Sequence, residues 1–462
     1  MHYEKFADGS VKCIEDEIPF DLPDGWVWGR LTTLLDIFIT GPFGSSLHKS
    51  DYVENGIPLI NPMNIVDGEI IPIDKMQISN ETVERLASFK VIRNDIVIAR
   101  RGGMGRCAVV HYTQTGWLCG TGSFVLRLST FLWSEYFAAC IRSPYAVTYL
   151  SGNSIGNTML NLNQAILKNL LLPVPPFKEQ KRIIDGINNA DAYLKQLSDE
   201  REHLIATVAK TKAKILDLAI RGQLVPQNPS DEPASVLLDR IRIEKEELIR
   251  QGKLKRDKKE SVIFRGDDNS YYLQTGNLIE SLSDWGFDDL PDSWAICCLG
   301  EICDYGNCIN VETDSIDDDA WMLDLEDIEK DTGKVLVRVK KRDRNAASTK
   351  HQFHAGQVLY SKLRPSLNKV VLADQDGFCT SEILPLEFEC IVVREYARYY
   401  LMSPAFLKYA NHCSYGVKMP RLGTADGKKA IVPLPPYKEQ ERIVKAVHKT
   451  FALLDSIAES LS

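Results

Sequence analysis

A short proline-rich step that runs into a helix occurs twice in the chain. Residues 172–187 read LPVPPFKEQKRIIDGI, and residues 432–447 read VPLPPYKEQERIVKAV. Proline fixes φ and lacks a backbone N–H, so it is tolerated at a helix start but not inside a helix. The acidic residue that follows, Glu179 or Glu439, suits the positive end of the helix dipole. The repeat therefore predicts two similar domains, each followed by its own helix.

A second repeated motif marks where each domain begins. Residues 22–36, LPDGWVWGRLTTLLD, match residues 290–304, LPDSWAICCLGEICD. Internal repetition of this kind defines the architecture of a long chain. The two motifs predict the following boundaries: an N-terminal arm at 1–22, a first domain at 23–176, a first helix at 177–222, a central loop, charged helix and linker at 223–289, a second domain at 290–436 and a short second helix at 437–462.

Between these markers the two copies share a skeleton but differ in their loops. DIVIAR at 95–100 is rich in β-branched residues and predicts a strand, with QVLYSK at 357–362 as its counterpart. Ser143-Pro144 matches Ser403-Pro404, and GNTMLNL at 156–162 matches GVKMPRL at 416–422. Scattered short strands with a few helices indicate an α+β fold. A fixed skeleton with divergent loops is typical of two recognition domains of different specificity.

The helix after each proline step carries a heptad pattern. In the first helix, spacings of four and three alternate over about ten turns, roughly 55–60 Å, and the positions are apolar except Arg201 and Thr211. A strict heptad stripe predicts a partner helix, and the other copy is the obvious candidate; the alternative is one amphipathic helix on a globular core, which usually gives a wider stripe. The stripe comprises Ile183, Ile187, Ala190, Leu194, Leu197, Leu204, Val208, Thr211, Ile215 and Leu218 in the first helix, and Ile443, Val447, Thr450, Leu454, Ile457 and Leu461 in the second.

The two predicted helices are unequal. The first continues to about Arg221, whereas the second reaches only Ser462, where the sequence ends. We expect an incomplete helix pair at this end, which the N-terminal arm or the charged third helix at 234–252 completes. The alternative is a shortened, poorly active product.

Composition limits the classes of protein without selecting one. The net charge of -8 among 462 residues argues weakly against nucleic-acid binding, although the clustering of Lys and Arg decides that question. Eleven cysteines occur with no CxxC pair, which predicts free thiols and no metal site. The polar N-terminus resembles no secretory signal, and no apolar run is long enough to cross a membrane. We therefore expect a cytoplasmic protein.

Motifs for cofactor binding and catalysis are missing from the sequence. Residues 423–429, GTADGKK, are one residue short of a nucleotide-binding P-loop and lack its Ser or Thr. LPPY at 434–437 is similar to the catalytic motif of adenine methyltransferases only from its second residue on, since Leu434 cannot hydrogen-bond a target amine. We expect no catalytic residues and no cofactor bound by this chain.

Three stretches carry a resemblance to a known family. They are residues 172–182 with their echo at 432–442, residues 215–226 (ILDLAIRGQLVP) with 231–238 (DEPASVLL), and residues 40–49 (TGPFGSSLHK) with 56–62 (GIPLINP). In these stretches, and in the order of its two modules, the chain resembles the specificity (S) subunit of type I restriction-modification systems. The resemblance covers nearly the whole chain, but the second domain lacks the motif at 40–49.

The resemblance implies a bipartite mode of DNA recognition. Two target-recognition domains, held apart by an antiparallel pair of helices, would each read one half of a split site on double-stranded DNA. The helices would set the gap between the halves, and ~55 Å exceeds one helical turn of DNA, ~34 Å. Two methyltransferase (M) subunits and a restriction (R) subunit would be the partners. Adenine methylation, restriction, and the S-adenosylmethionine, ATP and magnesium that they need would belong to those partners.

Candidate DNA-binding residues lie in loops that combine cations with glycines. Base edges are read chiefly by Arg, Asn and Gln, and glycine lets the backbone approach closely. The alternative for each candidate is a solvated surface turn. The candidates are Lys49, Arg100, Arg101, Gly102, Gly103, Gly105 and Arg106 in the first domain, and Lys362, Arg364, Lys369, Lys418 and Arg421 in the second.

Two further sets are weaker candidates. Lys340, Lys341, Arg342 and Arg344 form a denser basic run that we expect to contact phosphate or nothing. Asn161 and Asn163 suit contacts with bases, but helix capping explains them equally well.

Two other classes of function remain as alternatives. One is an enzyme, a nuclease or methyltransferase whose residues meet only in the tertiary structure. The other is a protein-interaction scaffold built on the helices, which predicts no basic surface on either domain.

Overall fold

The chain forms two compact units, Met1–Leu197 and Ser198–Ser462. The computed structural model describes residues 1–42, 46–153, 161–252, 261–266, 268, 270–283, 286–287, 289–344 and 348–461. Gly156 and Met159 of the repeated motif at 156–162 lie outside the described residues. The division at 197/198 falls inside the first long helix, whereas the sequence-based boundaries separate each helix from its domain.

The first unit alternates short strands with short helices and ends in the long helix that leaves it. Its strands are β1 (Tyr3–Lys5), β2 (Val11–Cys13), β3 (Val27–Arg30), β4 (Leu35–Thr40), β5 (Tyr52–Ile60), β6 (Ile65–Val66), β7 (Glu69–Ile70), β8 (Gln77–Ile78), β9 (Ile96–Ala99), β10 (Cys107–Val109), β11 (Leu118–Cys119), β12 (Ser123–Leu128) and β13 (Leu171–Val174). Its helices are α1 (Leu31–Leu34), α2 (Asn80–Arg85), α3 (Ser134–Arg142), α4 (Pro144–Asn153), α5 (Gln164–Asn169) and α6 (Phe177–Ile220), which continues into the second unit.

An antiparallel four-stranded sheet in the order β10-β9-β12-β4 organises the first unit. All four residues of β9 are buried, as the β-branched run at 95–100 predicts. Ile96, Ile98 and Phe124 face a core shared with α3 and α4, while Val97 and Val125 face a second core. The sheet therefore carries apolar side chains on both faces, and its strand ends lead into the loops.

The second unit has its own set of strands and helices. Its strands are β14 (Ser261–Arg265), β15 (Tyr271–Thr275), β16 (Leu278–Ser281), β17 (Ala295–Cys298), β18 (Ile309–Val311), β19 (Trp321–Leu323), β20 (Val339–Lys340), β21 (Lys350–Phe353), β22 (Val358–Ser361), β23 (Val370–Leu372), β24 (Gly377–Thr380), β25 (Ile383–Leu386) and β26 (Ile431–Leu434). Its helices are α7 (Ala234–Arg250), α8 (Leu299–Ile302), α9 (Arg394–Met402), α10 (Pro404–His412), α11 (Thr424–Lys428) and α12 (Tyr437–Ser460).

The sheet β23-β22-β25 repeats the arrangement of β10-β9-β12. The second unit also contains a five-stranded sheet in the order β18-β21-β24-β19-β20. Helices α4 and α10 begin at Pro144 and Pro404, and the hydroxyls of Ser143 and Ser403 accept hydrogen bonds from backbone N–H groups in the first turn. The Ser-Pro pairs are thus helix starts in both copies, since proline is tolerated at the first helical position.

In each copy the first strand of the domain pairs with the last. β3 pairs antiparallel with β13, and β17 pairs antiparallel with β26. The register is the same, because Val27 faces Val174 and Ala295 faces Leu434. The two repeated sequence motifs therefore meet in space, and each domain closes at the point where its long helix starts.

The structural repeat also extends before these strands. The β1-β2 hairpin precedes one domain and the β15-β16 hairpin precedes the other. After the hairpins, Ile14 and Leu282 occupy matching positions and are 7% and 5% exposed. Each is held by a backbone hydrogen bond, to His2 and to Tyr271. The predicted arm at 1–22 and the end of the predicted linker thus contain matching hairpins.

The last part of α6 packs against α12 within the second unit. The Lys212 ammonium forms an ion pair with Asp455 and lies 5.2 Å from the centre of the Phe451 ring. Arg201, about three turns earlier on α6, donates to the carbonyl of Leu461, which directly follows the last residue of α12. The contacts move in opposite directions along the two helices, so the helices are antiparallel here.

Candidate nucleic-acid interface

The predicted basic loop of the first unit follows β9 directly. The N–H of Ala99 donates to the carbonyl of Arg106 at 2.9 Å, which closes the loop. The carbonyl of Arg100 accepts from the N–H of Leu162 at 2.8 Å, and Arg101 pairs with Asn161 as an isolated β-bridge. The loop at 100–106 and the segment at 161–162 therefore form one surface, although they are distant in sequence.

The glycines of this loop have different roles. Gly102 and Gly105 have φ values of +87° and +76°, which side chains rarely adopt. Gly103 is exposed, and an added Cβ would meet nothing within 4 Å. A Cβ on the buried Gly105 would lie 2.8 Å from the carbonyl oxygen of Ile141. Gly105 thus allows close packing onto α3, while Gly102 and Gly103 are accessible to a ligand.

Cations of the first unit differ in how they are held. The Arg100 guanidinium is half-buried, 4.8 Å from the Phe124 ring centre, and burial followed by the charge of Arg101 lowers its pKa. Arg106 is half-buried as well. Arg101 and Lys49 are exposed, and no ion pair or side-chain hydrogen bond is formed by either within the part of the chain that the structure describes. Arg101 is therefore the most accessible cation of the loop at 100–106.

The second unit places an equivalent pair of segments together. The carbonyl of Lys362, after β22, accepts from the N–H of Leu422 at 3.0 Å, as Arg100 does from Leu162 in the first unit. The N–H of Arg364 donates to the carbonyl of Pro420 at 2.7 Å. The loop at 362–364 and the segment at 415–422 thus repeat the surface found in the first unit.

Arg421 and Lys369 are occupied by contacts inside the second unit. The Arg421 guanidinium binds the Glu382 carboxylate at 2.9 Å, and that contact raises the pKa of Arg421. The Lys369 ammonium donates to the carbonyl of Leu325 at 2.6 Å. These contacts hold both side chains against the second unit, and their contact with DNA stays a prediction.

Arg364 and Lys418 are the accessible cations of the second unit's surface. Both side chains are exposed, and among the described residues neither has an ion pair. Arg364 has φ +49° in a region that non-glycine residues seldom occupy. A strained backbone of this kind often accompanies function, because the surrounding structure must stabilise it.

The denser basic run at 340–344 is paired with acidic residues. Lys340 and Arg342 contact the Asp319 carboxylate at 2.8 and 2.9 Å. Arg344, only 10% exposed, contacts Asp327 at 2.7 Å. The local charge is largely compensated, which explains the high charge density without requiring phosphate.

Of the two candidate asparagines, Asn163 is a helix cap. Its side-chain oxygen accepts from the N–H of Ile166 at 2.9 Å, at the start of α5. The side-chain oxygen of Asn161 is buried and lacks a hydrogen-bond partner among the described residues. Capping therefore explains Asn163, whereas Asn161 lies beside Arg101 on the shared surface.

Sequence reasoning did not identify the role of the glutamine in each proline step. Gln180 accepts from the N–H of Trp133 at 2.9 Å and donates to the carbonyl of Pro175 at 2.9 Å. Gln440 accepts from the N–H of Val393 at 2.7 Å and donates to two carbonyls. Both glutamines are buried. Each fixes the start of its long helix to the body of its domain, and the repeated KEQ triplet was the signal.

The predicted heptad positions are covered to very different degrees. Val208, Ile443 and Val447 are buried, and Ile183 and Leu454 are half-buried. Ile187, Leu194, Leu197 and Leu204 on α6 are 41%, 64%, 62% and 41% exposed, and Ile457 on α12 is 45% exposed. Among the described residues, the α6 stripe is thus buried at Val208 and well exposed at the positions from Ile187 to Leu204 that are given above.

The relation to known proteins rests on a family model and on relatives. The model described as Type I restriction modification DNA specificity domain matches residues 23–205 and 291–461, one match in each repeat. The chain belongs to this family. The structure accordingly contains two specificity domains of mixed helices and strands.

Named relatives are distant and differ in extent. The chain is 22% identical over 456 residues to the Type I restriction enzyme EcoKI specificity subunit of Escherichia coli K12, with 96% of the chain and 85% of the relative covered. It is 21% identical to the Escherichia coli EcoDI specificity subunit, with 75% and 72% covered. It is 29% identical to the EcoAI specificity subunit of the same species, with 54% of the chain but only 41% of the relative covered.

Solved structures share the fold. The HsdS subunit from Thermoanaerobacter tengcongensis superimposes with a TM-score of 0.53 at 16% identity, with 96% of this chain and 92% of that chain covered. A chain from a structure concerned with complex assembly and conformational transition of the type I R-M system gives 0.54 at 18% identity, with 96% and 94% covered. At these identities the likeness establishes the fold of the specificity domains.

No cluster of His, Cys, Asp or Glu among the described residues has the arrangement of a metal site. All eleven cysteines are free thiols. Burial raises the pKa of Cys107 and Cys119 to about 12, which keeps both thiols protonated and unreactive at neutral pH. Among the helices described, none has the length and apolar character that a membrane span requires.

Proposed function

We propose that the chain is the DNA-specificity subunit of a type I restriction-modification complex and is not itself an enzyme. Each unit reads one half of a bipartite site on double-stranded DNA. One observation supports the proposal. In each unit, the loop after the matching strand is hydrogen-bonded to the equivalent later segment of that unit, and this surface carries exposed cations. Divergent loops on one skeleton suit two different half-sites.

The two surfaces suit recognition of base edges and backbone together. Arg101 in the first unit, and Arg364 and Lys418 in the second, are exposed and unpaired among the described residues. Arginine reads guanine bidentately, while lysine neutralises phosphate. Two such surfaces also distinguish this function from a scaffold, which needs no cation on either domain.

The long helix α6 sets the gap between the half-sites. Its 44 residues correspond to about 66 Å at 1.5 Å per residue, more than one turn of DNA. Helix pairing along the heptad stripe gives a coiled-coil spacer in this proposal. Two methyltransferase subunits and a restriction subunit supply adenine methylation and cleavage in the cytoplasm, with their S-adenosylmethionine, ATP and magnesium.

Arg101→Ala and Arg364→Ala test the proposal directly. Each should lower the affinity of the complex with its methyltransferase subunits for specific DNA about tenfold, or relax one half-site only. Fluorescence anisotropy and methylome sequencing measure these effects. Melting temperatures should not change, because neither side chain has an ion pair or side-chain hydrogen bond among the described residues.

Arg93→Ala is a matched control for the first unit. Arg93 is exposed and lies before β9, at the opposite end of the strand from Arg101. It should leave affinity and methylation unchanged. Unaltered affinity and methylation in both Arg101→Ala and Arg364→Ala would remove these loops as the reading surface.

A further inference from the structure

Glu382 lies on the candidate DNA surface of the second unit. It directly precedes β25, and its carbonyl accepts from the N–H of Lys362 at 3.0 Å. Its carboxylate binds the guanidinium of Arg421 at 2.9 Å, and the Glu382 side chain is 23% exposed. A partly accessible carboxylate therefore contacts both the loop at 362–364 and the segment at 415–422.

The equivalent position of the first unit has a different chemical character. Gly122 precedes β12 as Glu382 precedes β25, and its carbonyl accepts from the N–H of Arg100 at 2.8 Å. Asn161 takes the place of Arg421, since each forms an isolated β-bridge to the loop after the matching strand. The backbone is thus constant, while a carboxylate and a guanidinium in one unit replace a glycine and an amide in the other. Such positions suit the reading of two different half-sites.

We propose that the Glu382 carboxylate reads the N4 amine of a cytosine in the second half-site and that Arg421 orients this carboxylate. The inference rests on the proposed function and assigns one base to the second unit. An ionised carboxylate only accepts hydrogen bonds, and cytosine presents a lone donor in the major groove. Adenine also presents an amine there, but its N7 acceptor lies beside that amine and would face the same carboxylate. The chemistry therefore selects cytosine.

The contacts with Arg421 leave the carboxylate able to accept another hydrogen bond. The Nε of Arg421 donates to Oε1 and Oε2 at 3.2 and 3.0 Å, and its Nη2 donates to Oε1 at 2.9 Å. A carboxylate has about four lone-pair sites, and within the described part of the chain Oε2 accepts only the bond from Nε. Because the guanidinium fork fixes the plane of the carboxylate, the remaining site has a defined direction.

The same ion pair allows a carboxylate to approach DNA. Phosphates would repel an unpaired carboxylate, whereas the charges of Glu382 and Arg421 cancel. The exposed Arg364 and Lys418 on the same surface supply the positive charge that attracts the DNA backbone. A partly exposed ion pair contributes little to folding stability, so loss of this pair should appear in specificity and not in the melting temperature.

Glu382→Gln tests the assignment, because it retains the length of the side chain and adds an amide donor. Methylome sequencing should show one invariant C·G pair of the wild-type motif that tolerates other base pairs in the variant, in the half-site that Arg101→Ala leaves unchanged. Fluorescence anisotropy of the complex with its methyltransferase subunits, on duplexes that differ only at that pair, should show the preference for cytosine falling about tenfold. Glu382→Ala should lose the same preference.

Glu387→Gln is the matched control. Glu387 directly follows β25, at the opposite end of the strand from Glu382, and binds the guanidinium of Arg394 at 2.5 Å. This variant weakens an equivalent ion pair at the other end of the strand, so it should keep the wild-type motif and the wild-type preference for cytosine. Arg421→Ala should relax the same base pair as Glu382→Gln, whereas Arg421→Lys, which keeps the charge without the fork, should restore part of the preference.

Two results would overturn the assignment. One is a Glu382→Gln complex that keeps the wild-type motif and the wild-type preference in anisotropy. The other is relaxation at a base pair that is not C·G in the wild-type motif, or in the half-site that Arg101→Ala changes. Reduced DNA affinity of Arg364→Ala beside either result would leave the second unit as a reader of DNA, so the assignment of cytosine can fail while the proposed function stands.

Discussion

At the scale of single residues, equivalent side chains in the two repeats divide into constant and variable roles. Gln180 and Gln440 share two contacts, since each accepts from a backbone N–H and donates to a proline carbonyl. Glu179 and Glu439 do not, because Glu439 is buried against Trp294 and Gln227 while Glu179 is half-buried. The glutamine has the same structural role in both repeats, whereas the surroundings of the glutamate differ between them.

Glu439 should make folding stability depend on pH. Burial raises the pKa of its carboxyl above the usual range, although hydrogen bonds from Gln227 and Trp294 oppose this. The folded state therefore binds this proton more tightly than the unfolded state does. Ionisation of the buried carboxyl destabilises the folded state. This destabilisation is absent below the ordinary carboxyl pKa and grows as pH rises through the raised pKa.

Glu439→Gln removes this ionisation and retains an oxygen that accepts from both partners. Thermal unfolding followed between pH 4 and pH 8 should show a smaller loss of melting temperature with rising pH than in the wild type. Glu179→Gln serves as the control and should keep the wild-type slope. Equal slopes for all three proteins would show that Glu439 is not the responsible group.

The sequence alone identified only some of the cations that are accessible to a ligand. The glycine-rich surroundings of Arg101 and the repeat position of Arg364 were visible in the chain, and both side chains are exposed. The partners of Arg421 and Lys369 were not, because Glu382 and the Leu325 carbonyl are distant in sequence. Whether a cation is free depends on tertiary neighbours that no local pattern encodes.

At the scale of elements, the proline step is a joint fixed by one glutamine. The side chain of Gln440 bonds the N–H of Val393 and the carbonyls of Ile391 and Pro435, and all these contacts lie in a buried region. A buried backbone group left without a partner costs about 1–3 kcal/mol. The amide therefore links the helix to the domain more firmly than apolar contact alone would.

Gln440→Leu should lower the free energy of unfolding of the second unit by about 3 kcal/mol, since it leaves these backbone groups unpaired. Urea denaturation monitored by tryptophan fluorescence measures the change. Glu441→Leu, at the next and exposed position, should cost less than about 0.5 kcal/mol. Comparable losses in the two variants would argue against a special role for the glutamine.

Elements were largely predictable where periodicity was strong. The strands at 95–100 and 357–362, the Ser-Pro helix starts and the long helices all follow from local sequence. The matching hairpins before the two domains were not recognised, because their residues differ and only the pairing of strands reveals them. The two hairpins share a backbone arrangement although their amino-acid sequences have little similarity.

At the scale of the whole molecule, the gap between half-sites depends on α6 in the proposed function. Deleting one heptad, residues 197–203, shortens the helix by about 10 Å while keeping the stripe in phase. The complex should then methylate a site with a different gap or lose activity. Methylome sequencing of cells that express the variant with its methyltransferase decides this, and the original gap at full occupancy would contradict the spacer role.

Two repeats and an α+β fold followed from sequence at this scale. The extent of helix pairing did not, since the heptad stripe reads alike over its covered and uncovered parts. Heptad spacing predicts a partner helix along the whole stripe, whereas only the structure distinguishes Val208, which is 9% exposed, from Leu194, which is 64% exposed.

The antiparallel pairing of first and last strands in each domain has a genetic consequence. Val27 lies opposite Val174, and Ala295 lies opposite Leu434. The chain therefore enters and leaves each domain at nearly the same point. A recombination event that exchanges everything between those strands would change the module while the helix behind it kept its anchor. New specificities could thus arise by cassette exchange, inherited whole rather than assembled one substitution at a time.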